Sequence, residues 1–264
     1  MPHAAVRDIR MYYEEAGAGE PLVLLHGATG TLEMHSAGWG GLVGALAERY
    51  RAIQVEHRGH GRTDNPAGWL SYEQIGDDLA AFIEALGLAP AHVAGVSDGG
   101  IVALALGMAR PDLVRSLVLV GANYRNDAST EAANAVLDAD VIAAEHPEWA
   151  EALAELHDAR RHPGYWRELL DAIKANVAVA PDYGEDDLAR VTAPTLLVAG
   201  ETDPWANLDQ MLVMRRCIPR AEMLVLNHAG ADPMSNHIPQ FTRPDLVLPA
   251  MLDFLGRHGA AAAA

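Results

Sequence analysis

Gly95-Val96-Ser97-Asp98-Gly99-Gly100 decides the reading of this chain. An apolar run with strand character, residues 91–96, leads into it, and a run with helix character, residues 99–109, leads out. Glycines two positions before and two after Ser97 let the backbone bend sharply with no Cβ in the way. Such a bend lifts the Ser97 hydroxyl out of the sheet and sets it at a helix N-terminus. Free N–H groups and the helix dipole favour negative charge there. An ordinary glycine-rich turn between a strand and a helix has the same local composition. A base, an acid and an oxyanion donor elsewhere in the chain would separate the two readings.

Working outward, short apolar runs with strand character recur at residues 9–13, 22–25, 52–55, 92–96, 117–120, 195–199 and 223–226. Helix-period segments lie between several of them. In residues 71–87, Ile75, Leu79, Phe82, Ile83 and Leu86 fall at helical spacing. Ser71 and Gln74 form a capping-box pattern at the start, and Gly87 supplies a stop. This alternation predicts an α/β fold with a mostly parallel central sheet flanked by helices. The alternation breaks at residues 122–192, which carry no strand pattern. Helical patterns at 130–145, 148–161 and 165–177 are punctuated there by Pro147, Pro163 and Pro181. The expected division is a core from residues 1–121 and 193–259, an inserted helical cap from 122–192, and a disordered low-complexity tail at 260–264.

Composition narrows the function classes. The 264 residues are 50% hydrophobic, enough for one full core with a modest subdomain. A net charge of −17 argues against nucleic acid and anionic membranes as partners. A small-molecule substrate is expected instead, and a homodimer is left open. Cys217 is the only cysteine, so no intrachain disulfide can form, which fits the cytoplasm. No basic-then-apolar leader or bilayer-length apolar stretch is present. No His-Glu-x-x-His or paired Cys/His spacing predicts a metal site. Neither Gly-x-Gly-x-x-Gly nor Gly-Lys-Ser/Thr occurs, against a dinucleotide or P-loop reading.

Four segments then line up in order. Leu24-Leu25-His26-Gly27-Ala28-Thr29-Gly30 follows a strand, and the serine turn follows it in the chain. Between them lies Glu56-His57-Arg58-Gly59-His60-Gly61-Arg62-Thr63-Asp64, and later come Gly200-Glu201-Thr202-Asp203 after a strand and a histidine-bearing stretch near the C-terminus. Essentially the whole chain resembles the α/β-hydrolase superfamily, in which Gly-x-Ser-x-Gly is the nucleophile elbow. The resemblance implies Ser97 as nucleophile, Asp203 as the acid that orients the base, and the Ala28 and Asp98 amides as the oxyanion hole. It also implies that His26 buttresses the oxyanion loop and that His57 and His60 shape a neighbouring loop. No cofactor is implied.

The base is ambiguous. Counted from the preceding strand, the family's histidine falls on Ala231. Counted back from Pro244, which opens the final helical pattern, it falls on His237. A short insertion at residues 231–236 reconciles the two and favours His237. His228 is the alternative base, and replacement of a lost histidine by Ala231 is a third possibility. Gly27, Trp39, Trp149 and Trp166 are candidate pocket residues, with ordinary packing as the competing reading of the tryptophans. The resemblance implies a serine hydrolase cleaving an ester, lactone or amide through a Ser-His-Asp triad. Carbon–carbon bond hydrolases, and non-hydrolytic cyclases, isomerases or ligand-binding proteins of the same fold, remain alternatives. Asp98 beside the nucleophile either faces the pocket, where it would favour a substrate amine as in some amino-acid-ester hydrolases of the superfamily, or only caps the helix.

Overall fold

The computed structural model describes residues 2–34 and 38–260. The tail expected to be disordered therefore lies, beyond Ala260, outside the described residues. Eight strands form one sheet: β1 (His3–Val6), β2 (Ile9–Ala16), β3 (Glu20–Leu25), β4 (Tyr50–Val55), β5 (Ala91–Val96), β6 (Val114–Val120), β7 (Thr195–Gly200) and β8 (Ala221–Leu226). Their order is β1-β2-β4-β3-β5-β6-β7-β8. β1 and β2 are antiparallel to their neighbours, and every other pair is parallel.

Side-chain alternation divides the central strands between two apolar layers. Val23 and Leu25 of β3, Leu117 and Leu119 of β6, and Leu197 and Ala199 of β7 face one layer. Leu22 and Leu24, Val118 and Val120, and Leu196 and Val198 face the other. The helices Tyr72–Ala85 and Asp98–Ala109 cover the first face, and Val43–Ala47 and Pro244–Arg257 cover the second. All six residues of β5 are buried, so the strand that delivers Ser97 sits in the middle of the core.

The helix at 71–87 spans Tyr72–Ala85, with the Ser71 side chain accepting from the Gln74 amide. Only this half of the capping box forms, because the buried Gln74 Oε1 has no partner among the described residues. Between β6 and β7 the described residues form helices and one isolated bridge, Arg125 to Asp182. The pattern at 130–145 is two helices, Ala128–Asn134 and Ala139–Glu145. Asp138 accepts from the Asp140 and Val141 amides and starts the second one. Helices Pro147–His157 and Tyr165–Val177 follow. No helix among the described residues is long and apolar enough to cross a membrane.

Candidate active site

Ser97 directly follows β5 with φ 54° and ψ −125°, a positive-φ conformation that a non-glycine residue adopts only when its surroundings hold it there. The Ser97 amide donates to Val120 O at 2.8 Å on β6, and the Gly100 amide closes the turn onto Ser97 O at 2.7 Å. Two glycines make room for this turn. A Cβ on Gly95 would lie 2.1 Å from Gly99 O, and one on Gly99 would lie 2.5 Å from His26 O. Both obstacles are backbone and cannot swing away. Gly95→Ala is therefore expected to cost about 3 kcal/mol or more, lowering the thermal midpoint by roughly 6–12 °C. Thermal unfolding measures it, and a midpoint within about 1 °C of the parent would contradict this account of the turn.

His237 is the last residue of a short helix, Pro233–His237, inserted after β8. Asp232 opens that helix by accepting from the Ser235 amide at 2.9 Å. The Asn236 side-chain amide ties it back to the carbonyls of Gly230 and Asp232. The displaced histidine register has this helix as its cause. His237 Nε2 lies 2.8 Å from Ser97 Oγ, and His237 Nδ1 lies 2.9 Å from Asp203 Oδ2. A carboxylate can only accept, so Nδ1 carries the proton and Nε2 is free to accept from the Ser97 hydroxyl. Asp203, on the turn after β7, is 2% exposed. Its second oxygen accepts from the Trp205 and Ala206 amides at 2.9 and 3.1 Å. The Trp205 ring lies against the imidazole, 4.7 Å between centroids. His228, the other candidate base, is exposed on the turn after β8 with φ 59° and does not line the cavity beside Ser97. Ala231 is exposed as well.

Asp98 is the first residue of its helix, so its amide has no acceptor within the helix. Asp98 lines the cavity, and the buried hydroxyl of Tyr72 acts on its carboxylate. Burial pushes the Asp98 pKa up to about 6, against the opposing pull of Tyr72 and of the His237 imidazole.

The loop bearing Ala28 is held from behind by histidines. His57 N donates to His26 Nε2 at 3.0 Å, so the neutral His26 ring donates from Nδ1 to Gly27 O at 2.8 Å. His60 Nε2 lies 2.5 Å from Ala28 O. His157 accepts from the Gly61 amide and lies 3.2 Å from Thr29 O. A trans peptide points its N–H opposite to its C=O. Fixing Gly27 O therefore fixes the direction of the Ala28 N–H. The rings of His26 and His57 stack with centroids 4.1 Å apart. Burial lowers the pKa of all four histidines, His57 to about 3 and His157 to about 4. The Glu56–Asp64 segment is locked by Arg58, whose buried guanidinium is shared between Asp78 and Asp8.

A cavity of about 700 Å³ opens beside Ser97. Gly27, Ala28, Asp98, Trp149 and His237 line it, but Trp39 and Trp166 do not. Trp39 is buried beneath the sheet with Nε1 donating to Leu25 O at 3.0 Å, and Trp166 is packed among the inserted helices. Trp39 packs as a core residue because a ring that satisfies its polar atom internally gains most from full burial. Sequence reasoning also missed His157 and Trp205. The only signal for Trp205 was its place two residues after Asp203, and none pointed to His157. Among the described residues no cluster of His, Cys, Asp or Glu could hold a metal ion.

Comparison with known proteins agrees with this architecture. The chain is 29% identical, over 97% of its length and 98% of the relative's, to a protein of Azorhizobium caulinodans provisionally named carbamate hydrolase RutD. It is 28% identical to a 2-hydroxy-6-oxononadienedioate/2-hydroxy-6-oxononatrienedioate hydrolase of Burkholderia vietnamiensis, covering 95% of this chain and 92% of that one. Among solved structures it resembles Est816, described as an N-acyl homoserine lactone degrading enzyme. There the TM-score is 0.73 and the identity 26%, over 96% of this chain and all of that one. The model of the alpha/beta hydrolase family matches residues 22–250. The chain therefore belongs to the α/β-hydrolase family of enzymes.

Proposed function

We propose that the protein is a serine hydrolase that cleaves an ester, lactone or amide of a small-to-medium organic substrate through an acyl-enzyme. One observation carries the reading: the unbroken relay from Ser97 Oγ through His237 to Asp203, with spacings of 2.8 and 2.9 Å. His237 Nε2 takes the Ser97 proton as Oγ attacks the carbonyl carbon. Asp203 stabilises the imidazolium that results. The Ala28 and Asp98 amides receive the oxyanion, a type of contact worth about 3–4 kcal/mol per donor. Collapse of the tetrahedral intermediate sends the proton from His237 Nε2 to the leaving group. A water that gives its proton to the same nitrogen then clears the acyl-enzyme. The segment between β6 and β7 acts as the cap, since Ala133 and Trp149 from its helices and Val136 and Leu137 from the turn joining two of them line the cavity that Ser97 also lines.

A fluorophosphonate probe tests the nucleophile. Folded wild-type protein is expected to label at Ser97, and Ser97→Ala to label not at all. Absence of label on the folded wild type would overturn the proposal. A panel of p-nitrophenyl esters, lactones and amino-acid esters then separates ester hydrolysis from carbon–carbon bond hydrolysis. Turnover of a vinylogous 1,5-diketone alone would favour the second.

A further inference from the structure

The cavity beside Ser97 has a charge sign. Asp98 lines it next to the nucleophile, Glu148 from the first turn of the helix Pro147–His157, and Asp232 from the start of the helix Pro233–His237. The chain has 19 lysines and arginines, all among the described residues, and none lines the cavity. Among the described residues, the one lining side chain besides His237 able to become positive is His146, which directly precedes the Pro147-Glu148 turn. Met34, Val136, Leu137, Trp149, Trp205 and Ile238 supply apolar wall.

Apolar walls screen charge poorly, which strengthens the field of the half-buried Asp98, while Glu148 and Asp232 are exposed and add to it through solvent more weakly. Asp232 accepts from both the amide and the hydroxyl of Ser235, which hold its pKa below the usual range and keep it ionised. Asp98 has the Tyr72 hydroxyl and the His237 imidazole acting on it, and no lysine or arginine lines the cavity with it. A substrate carboxylate entering here loses its water and gains no counter-ion. An ammonium group loses water equally but faces opposite charge. The contrast between these two ions isolates the sign of the field from the general cost of desolvation.

Resting on the reading that Ser97 attacks a carbonyl held in this cavity, we propose that the enzyme selects its acyl group by charge. It takes neutral, apolar chains, tolerates a terminal ammonium, and rejects chains that end in a carboxylate.

Three esters of one length test this: p-nitrophenyl octanoate, p-nitrophenyl 8-aminooctanoate and the mono-p-nitrophenyl ester of octanedioic acid. The expected order of kcat/KM is methyl, then ammonium, then carboxylate, with at least about a 10-fold gap between the two ions. Glu148→Gln is expected to narrow that gap by about 3-fold, and raising the ionic strength to narrow it further. A carboxylate ester turned over as well as the ammonium ester would overturn the proposal. If none of the three is hydrolysed, the fluorophosphonate label on Ser97 decides the hydrolase reading separately. The charge selection is then read from binding of octylammonium and octanoate to Ser97→Ala. Octanoate binding as tightly as octylammonium would overturn it there too.

Discussion

His237→Ala is expected to lower kcat/KM for a p-nitrophenyl ester by about 10⁴- to 10⁶-fold, whereas His228→Ala leaves it within about two-fold. A loss at the upper end is about 8 kcal/mol of transition-state stabilisation. The geometry sets this asymmetry. His237 holds hydrogen-bond distance to both Ser97 and Asp203, while His228 is exposed on the turn after β8. Asp203→Asn is expected to cost about 10⁴-fold. An amide in place of the carboxylate can donate to Nδ1, which favours the tautomer whose Nε2 carries the proton and cannot accept from serine. The double variant Ser97→Ala/His237→Ala should be no worse than either single one, because the two groups act as a unit. Steady-state kinetics on purified, folded variants checks all of these. Retained hydrolysis in His237→Ala with loss in His228→Ala would reassign the base.

The parts of this site that could be read from sequence are those fixed by a few adjacent residues. The Ser97 turn needs Gly95 and Gly99 in contact with its own backbone and that of the His26 strand end, so the spacing survives as a local pattern. Asp203 follows directly from the end of β7. The final helix announces itself with Pro244 and runs to Arg257. The histidine was harder, since its distance from β8 depends on the inserted helix that Asp232 opens. Nothing in the sequence around Ala231 states how that backbone turns. The tryptophans show another limit. Trp39 and Trp149 look alike as residues, yet one packs beneath the sheet and the other walls the cavity. Which happens depends on what surrounds each ring in three dimensions. His157 was hidden for the same reason: its partners Gly61 and Thr29 lie 96 and 128 residues away.

That hidden contact underlies the second large effect, a loss of stability in mild acid. Four buried histidines back the Ala28 loop in their neutral form, and each has a pKa lowered below its unfolded value near 6.5. Below that value the unfolded chain takes up protons that the folded chain refuses, so stability falls with falling pH. The contribution is complete above about pH 6.5 and drains away toward the folded values, about 3 for His57 and about 4 for His157. By pH 4.5 these two account for about 5 kcal/mol of loss. Asp98 works in the opposite direction. Its folded pKa of about 6 lies above the unfolded carboxylate value, so protonating it in the fold returns about 2 kcal/mol over the same range. The net of these three groups is about 3 kcal/mol, to which His26 adds because burial drives it well below its usual value. For a chain of this size the thermal midpoint should drop by roughly 6–12 °C between pH 6.5 and 4.5. Most carboxylates paired in the fold lose their contribution at lower pH, near their own unfolded values, which separates the two effects. His157→Gln, which leaves the other three rings in place, should lower stability at neutral pH and flatten the pH dependence by about one proton. Asp98→Asn should steepen it. A midpoint flat from pH 7 to 4.5 would show that the cluster opens to water and is not held neutral. In that case the rigid backing of the Ala28 amide, and with it half of the proposed oxyanion hole, would need another source.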